Sequence, residues 1–127
     1  MSGKGVVDIP SRFSVRETID RLESILGAKG IKIFARIDQK SEAEAVGLSL
    51  RETQLLIFGD PRAGTPLMVK HPSIALDLPA KAVAWEAADG KTWLSYNSPE
   101  YLKERHDMDS PPLLALEAIL AEATRQT

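Results

Sequence analysis

Apolar residues at Val15, Ile19, Leu22 and Leu26 recur at the i, i+4, i+7, i+11 spacing of one helix face. Ser14 and Glu17 frame a capping box, in which the serine oxygen and a glutamate three residues on satisfy free backbone donors at a helix start. That helix is expected to lay its stripe on a sheet. Before it, residues 6–9 are a short apolar run ahead of Pro10, suited to a first strand. After it, Gly27 and Gly30 suit the left-handed conformation that ends helices. Ile31, Ile33, Ala35 and Ile37 then alternate strictly, predicting a second strand with one apolar side.

Residues 38–47 are polar and alanine-rich, enough for one or two helical turns. Leu55, Leu56, Ile57 and Phe58 form a continuous apolar strand that ends at Gly59. Thr65 followed by Pro66 predicts the cap and first position of a short helix bounded by Pro72, with His71 at its end. Residues 80–87 and 91–96 flank Asp89-Gly90, a strong hairpin signal. A two-residue loop would set Trp85 opposite Leu94 and turn Trp93 away beside Glu86. A three-residue loop with a bulge at Gly90 would pair Trp85 with Trp93 instead. Ser98-Pro99 opens a helix through Tyr101, Leu102 and Arg105, and Ser110-Pro111 opens a last one carrying Leu113, Leu116, Ile119, Leu120 and Ala123.

The order is β-α-β-β-α-β-β-α-α. It predicts an α+β fold, a single antiparallel or mixed sheet with helices packed mainly on one face, in one domain over residues 1–127. A chain of 127 residues buries roughly two thirds of its unfolded surface, enough for a core without staples. The absence of cysteine removes disulfides, thiolate metal sites and cysteine nucleophiles from consideration. No apolar run approaches the roughly 20 residues of a membrane span, and the start lacks a secretion pattern, so a soluble cytoplasmic protein without a membrane partner is expected. The net charge is −2 with basic residues scattered, which argues against nucleic acid.

Three blocks carry a resemblance: LLIFGDPRAGTPLM at residues 55–68, DLPAKAVAWE at 77–86 and DGKTWLSYNSPEYLKERH at 89–106. In order and spacing they resemble the domain of unknown function 302 family, and the likeness covers nearly the whole chain. The resemblance implies a small bacterial or archaeal α+β domain and transfers no activity. The chain carries Asp60 where members often have Asn, and Gln39 after Asp38 where members often have His. A polar family site centred on that histidine would be lost here.

The loop Gly59, Asp60, Pro61, Arg62, Ala63, Gly64, Thr65 leads from a strand to a helix start, where free N–H groups and the dipole attract anions and Arg62 adds a forked cation. Its spacing fits neither the P-loop nor the dinucleotide fingerprint, since no lysine follows the second glycine and no glycine triplet exists. Asp60 opposes an anion, and a turn with a Thr65 cap accounts for the same residues. The ligand reading assigns Asp60, Arg62, Gly64 and Thr65 to a small anionic ligand, with Trp93 from the hairpin.

His71 and His106 are the two histidines, and neither has metal-ligand spacing, so no metal or other cofactor is expected. His106, after Arg105, is expected to cap a helix end, and Asp77 to serve the turn before Leu78-Pro79. Neither a nucleophile elbow nor a trusted acid–histidine order points to a serine triad, and no residue is assigned a catalytic role. Trp85, Trp93, Tyr96 and Tyr101 form a late aromatic group, with Trp85 expected in the core. The function expected is a noncatalytic binding or interaction module, a homodimer through a sheet surface or edge. The alternative is a small-molecule enzyme or sensor with its pocket between the 59–65 loop and the aromatic hairpin.

Overall fold

The computed structural model describes residues 3–112 and 116–125. Five strands form one antiparallel sheet in the order β1-β5-β4-β3-β2. β1 (Val6–Ser11) is an edge strand, where Pro10 is tolerated. Ser14 then caps α1 (Val15–Ala28): its Oγ accepts from Glu17 N at 3.1 Å and meets Glu17 Oε1 at 3.3 Å. Val15, Ile19, Leu22 and Leu26 are each exposed by 3% or less, so the predicted stripe is the buried face. Gly30, not Gly27, takes the left-handed position that ends α1 (φ 72), and Ile31 N donates to Leu26 O at 3.0 Å.

β2 (Lys32–Asp38) departs from strict alternation. The register with β3 (Thr53–Gly59) shifts between Ile33 and Ala35, an irregularity that inserts one residue and changes which side follows. Ile31 and Ile33 therefore pack on the main core. Ala35 and Ile37 share the opposite face with Ile57 and Leu55, while Arg36 reaches the helix side and bonds Gln54 and Asp20 at 2.9 and 2.7 Å. α2 (Gln39–Ala45) fills the polar stretch, capped by Asp38.

β4 (Ala80–Glu86) and β5 (Thr92–Asn97) adopt the three-residue loop: Trp85 pairs with Trp93, and Ala87 N donates to Lys91 O at 2.8 Å. Gly90 supplies the one positive φ of the loop, 85°. The consequence corrects the expected core. Ala84 and Leu94 form one pair and Ala82 and Tyr96 another, both on the helix side, whereas Trp85 lies half-buried on the reverse face. Above Ala80, Ala82 and Ala84 sits α1, joined by α5 (Leu116–Thr124); Arg21 of α1 donates to the carbonyls of Ala123, Glu122 and Arg125 at 3.0–3.2 Å. Leu113 lies outside the described residues.

α3 (Pro61–Lys70) starts earlier than predicted. Asp60 is its cap and Pro61 its first residue, so Thr65 stands within the helix and Pro66 is an interior proline. A 3₁₀ turn (Pro72–Leu76) and α4 (Pro99–Arg105), capped by Ser98, complete a second apolar cluster of Ile74, Leu102 and Met108 with Leu67, Met68, Leu78 and Tyr101 around it.

Candidate functional site

Asp60 Oδ1 accepts from Arg62 N at 3.0 Å, and the Arg62 guanidinium folds back on the same carboxylate at 3.1 and 3.3 Å. The Arg62 hydrogen bonds hold that carboxyl below its ordinary range. The loop's cation is thus engaged by the loop's own anion, and its side chain is 82% exposed. Asp60, Gly64 and Thr65 do line a cavity of about 800 Å³, walled mainly by apolar groups such as Phe34, Phe58, Leu67, Met68, Leu78 and Ile119. Arg62 is not among its walls; the cation that borders it is Lys29.

Trp93 is elsewhere. It lines a second cleft with Phe13, Glu86 and Lys91, at the end of the sheet where Trp85 pairs with Thr53. Asp60 follows the other end of β3, and at roughly 3.3 Å per residue the two ends lie about 20 Å apart. The site expected to combine them is divided: Asp60, Gly64 and Thr65 at one cavity, Arg62 outside it, Trp93 at the far end.

On the sheet face turned away from α1 and α5, the Trp85 and Trp93 rings stack with centroids 6.4 Å apart. Trp85 Nε1 donates to Ser95 Oγ at 2.7 Å, and Ser95 Oγ donates in turn to Asp8. Val83, Leu55, Ile57, Ile37, Ala35 and Pro10 share this face by register, and all but the exposed Pro10 are half-buried. Lys81, beside Ile57, and the bonded pair Asp8 and Ser95 share the face too, so the stacked tryptophans stand in an apolar patch bordered by polar groups.

A third arrangement was not legible in the sequence. His106, expected at a helix end, caps α4 but has its side chain only 3% exposed. Its Nε2 lies 2.6 Å from Asp77 Oδ2 and its Nδ1 2.7 Å from Ser73 Oγ, while Arg105 Nη1 reaches both Asp77 oxygens at 3.1 and 3.3 Å. Asp77 thus binds two side chains of α4 and its cap rather than only its own turn. Separations of 33 and 29 residues hid this cluster, which has no local motif.

These features define a small α+β domain with helices on one face of an antiparallel sheet. Among the described residues there is no cluster of three or more metal-capable His, Asp or Glu, and no helix long and apolar enough to cross a membrane. The chain belongs to the family described as Domain of unknown function DUF302, which it matches over residues 7–126. It is 41% identical over 116 residues to the Fluoride-specific ion channel FluC 1 of Brucella suis, covering 91% of this chain and 46% of that protein. The FluC 2 protein of Brucella melitensis matches equally, at 41% over 116 residues, with 91% and 43% covered. The chain spans about half the length of these curated relatives. The crystal structure of an uncharacterized conserved protein DUF302 from Bacillus stearothermophilus has the same fold, with TM-score 0.74 at 20% identity over 94% of this chain and 90% of that one.

Proposed function

We propose that residues 1–127 act as one cytoplasmic interaction module that pairs with a second copy of itself through the sheet face turned away from α1 and α5. The observation that carries this reading is the stacked Trp85–Trp93 pair set in a half-buried apolar surface. Five strands at about 4.8 Å spacing and about 20 Å length present a footprint of about 480 Å², roughly 1,000 Å² over two copies, which is the size of a small, reversible interface. Tryptophan is the residue most often found as an interface anchor. A net charge of −2 sets little repulsion between copies. Relatives named as fluoride channels contain a similar stretch in under half their length, which fits a unit that is joined to other functions. Light scattering should give a dimer for the native chain and a monomer for Trp93→Glu, with both melting alike. A native monomer at high micromolar concentration would sink the reading.

A second reading rests on the cavity of about 800 Å³, a volume suited to a small organic ligand. Its walls favour an apolar body, with one acidic group directed to Lys29. Asp60, Gly64 and Thr65 contribute to the wall, and Arg62 and Trp93 do not. At Gly64 a Cβ would stand 3.8 Å from both Leu78 Cδ1 and Met68 Cε, so a longer side chain there grows into the space. Anilinonaphthalene sulfonate fluorescence should rise with native protein and with Arg62→Ala, and fall severalfold with Gly64→Leu. Equal fluorescence for Gly64→Leu would place the dye elsewhere.

A further inference from the structure

We propose that Ser73, His106 and Asp77 form a proton relay that makes Ser73 a nucleophile toward the acyl group of carboxylic esters. The hydrogen positions follow from the partners. Asp77 Oδ2 accepts from Arg105 Nη1 at 3.1 Å, and the 2.6 Å contact from the same oxygen to the ring is made by a proton on His106 Nε2. In the neutral ring Nδ1 is then the acceptor, and the Ser73 hydroxyl, 2.7 Å away, must donate to it. That is the polarity an activated serine requires: nucleophile to base, base to an orienting anion. The two ring nitrogens exchange the roles they have in the familiar protease triad, but either nitrogen of imidazole can take a proton.

Exposure separates a reactive group from a structural pin. His106 and Asp77 are withdrawn, with side chains 3% and 12% exposed, whereas Ser73 is exposed. An exposed hydroxyl has water for a partner and gains little by bonding a buried ring. One that does so is held with its oxygen facing both the base and the solvent.

Ser73 Oγ bonds to the ester carbonyl carbon while its proton passes to His106 Nδ1. The tetrahedral adduct then expels the alcohol, which takes that proton, and leaves Ser73 acylated. Water repeats the sequence on the acyl carbon, giving up a proton to Nδ1; the carboxylic acid departs and Ser73 Oγ recovers its proton.

p-Nitrophenyl acetate and a fluorophosphonate are the probes, applied to the full chain and followed by peptide mass spectrometry. Ser73 of the native protein should carry the acetyl and the phosphonyl group, Ser73→Ala should take up neither, and His106→Gln should react roughly 10²-fold more slowly. Ser73→Ala alters an exposed side chain and is expected to fold, so it decides the matter even if His106→Gln does not fold. Absence of modification at Ser73 in native protein, or an unchanged rate in folded His106→Gln, would overturn the proposal. Neither result bears on the dimer, which light scattering reads separately.

Discussion

Leu56→Ala is expected to cost about 3–5 kcal/mol, near the top of the range for truncating a buried leucine. Leu56 is fully buried on the helix side of β3. Its partner on β4 is Ala82, and its partner on β2 is Arg36, already held by Gln54 and Asp20. Neither neighbour can move into the space, so the cavity stays open beneath α1. Collapse is what spares other sites part of this penalty. Whole domains are stable by only about 5–15 kcal/mol, so the loss should lower the melting temperature by roughly 10 °C or more. Leu55→Ala, one residue along on the half-buried face, should cost far less. Urea titration of the two variants tests the assignment of faces; equal losses would mean that the reverse face is as tightly packed as the core.

The same assignment explains what the sequence made legible. The α1 stripe was readable because its period and its cap agree, and each residue of the stripe is buried. The hairpin was readable as a hairpin, but two loops were open to it. Asp89 settles the choice by accepting from Lys91 N at 3.0 Å, in a loop where Gly90 alone needs a positive φ. That choice carried Trp85 out of the core and left Ala80, Ala82 and Ala84 beneath α1, a stripe small enough to let the helix approach.

Two features needed tertiary information. The irregularity at Phe34 is invisible in the alternation of Ile31, Ile33, Ala35 and Ile37, because one inserted residue preserves the pattern while changing the side. In α3 two cap-then-proline pairs compete, Asp60-Pro61 and Thr65-Pro66. The first prevails: Asp60 bonds Arg62 N, and its carbonyl accepts from both Ala63 and Gly64 at 2.9 Å. This earlier start turns Arg62 back onto Asp60 and places Gly64 and Thr65 at the cavity wall. The candidate site thereby becomes an apolar cavity in place of an anion loop.

Among the described glycines Gly5→Ala should be the most damaging substitution by alanine, at about 2–5 kcal/mol from backbone strain and overpacking together. Gly5 adopts φ 75, a conformation that L side chains resist. An added Cβ there would overlap Tyr101 Cγ and Cδ2 and stand 2.7 Å from Cδ1. Retreat is costly, because Gly5 O accepts from Ser98 N at 2.7 Å, and Ser98 is the residue that caps α4. Displacing Tyr101 therefore disturbs α4 and the cluster of Ile74, Leu102 and Met108 that it covers. Gly30 isolates the strain alone, since its φ is 72 and nothing lies within 4 Å of a Cβ there; Gly30→Ala should cost only about 1–2 kcal/mol. A double-mutant cycle separates the remainder. In a Tyr101→Ala background Gly5→Ala should fall to the Gly30→Ala value, and the difference measures the ring contact. Additive losses would show that Tyr101 does not rest on Gly5, and that the start of β1 and α4 are joined by the Ser98 bond alone.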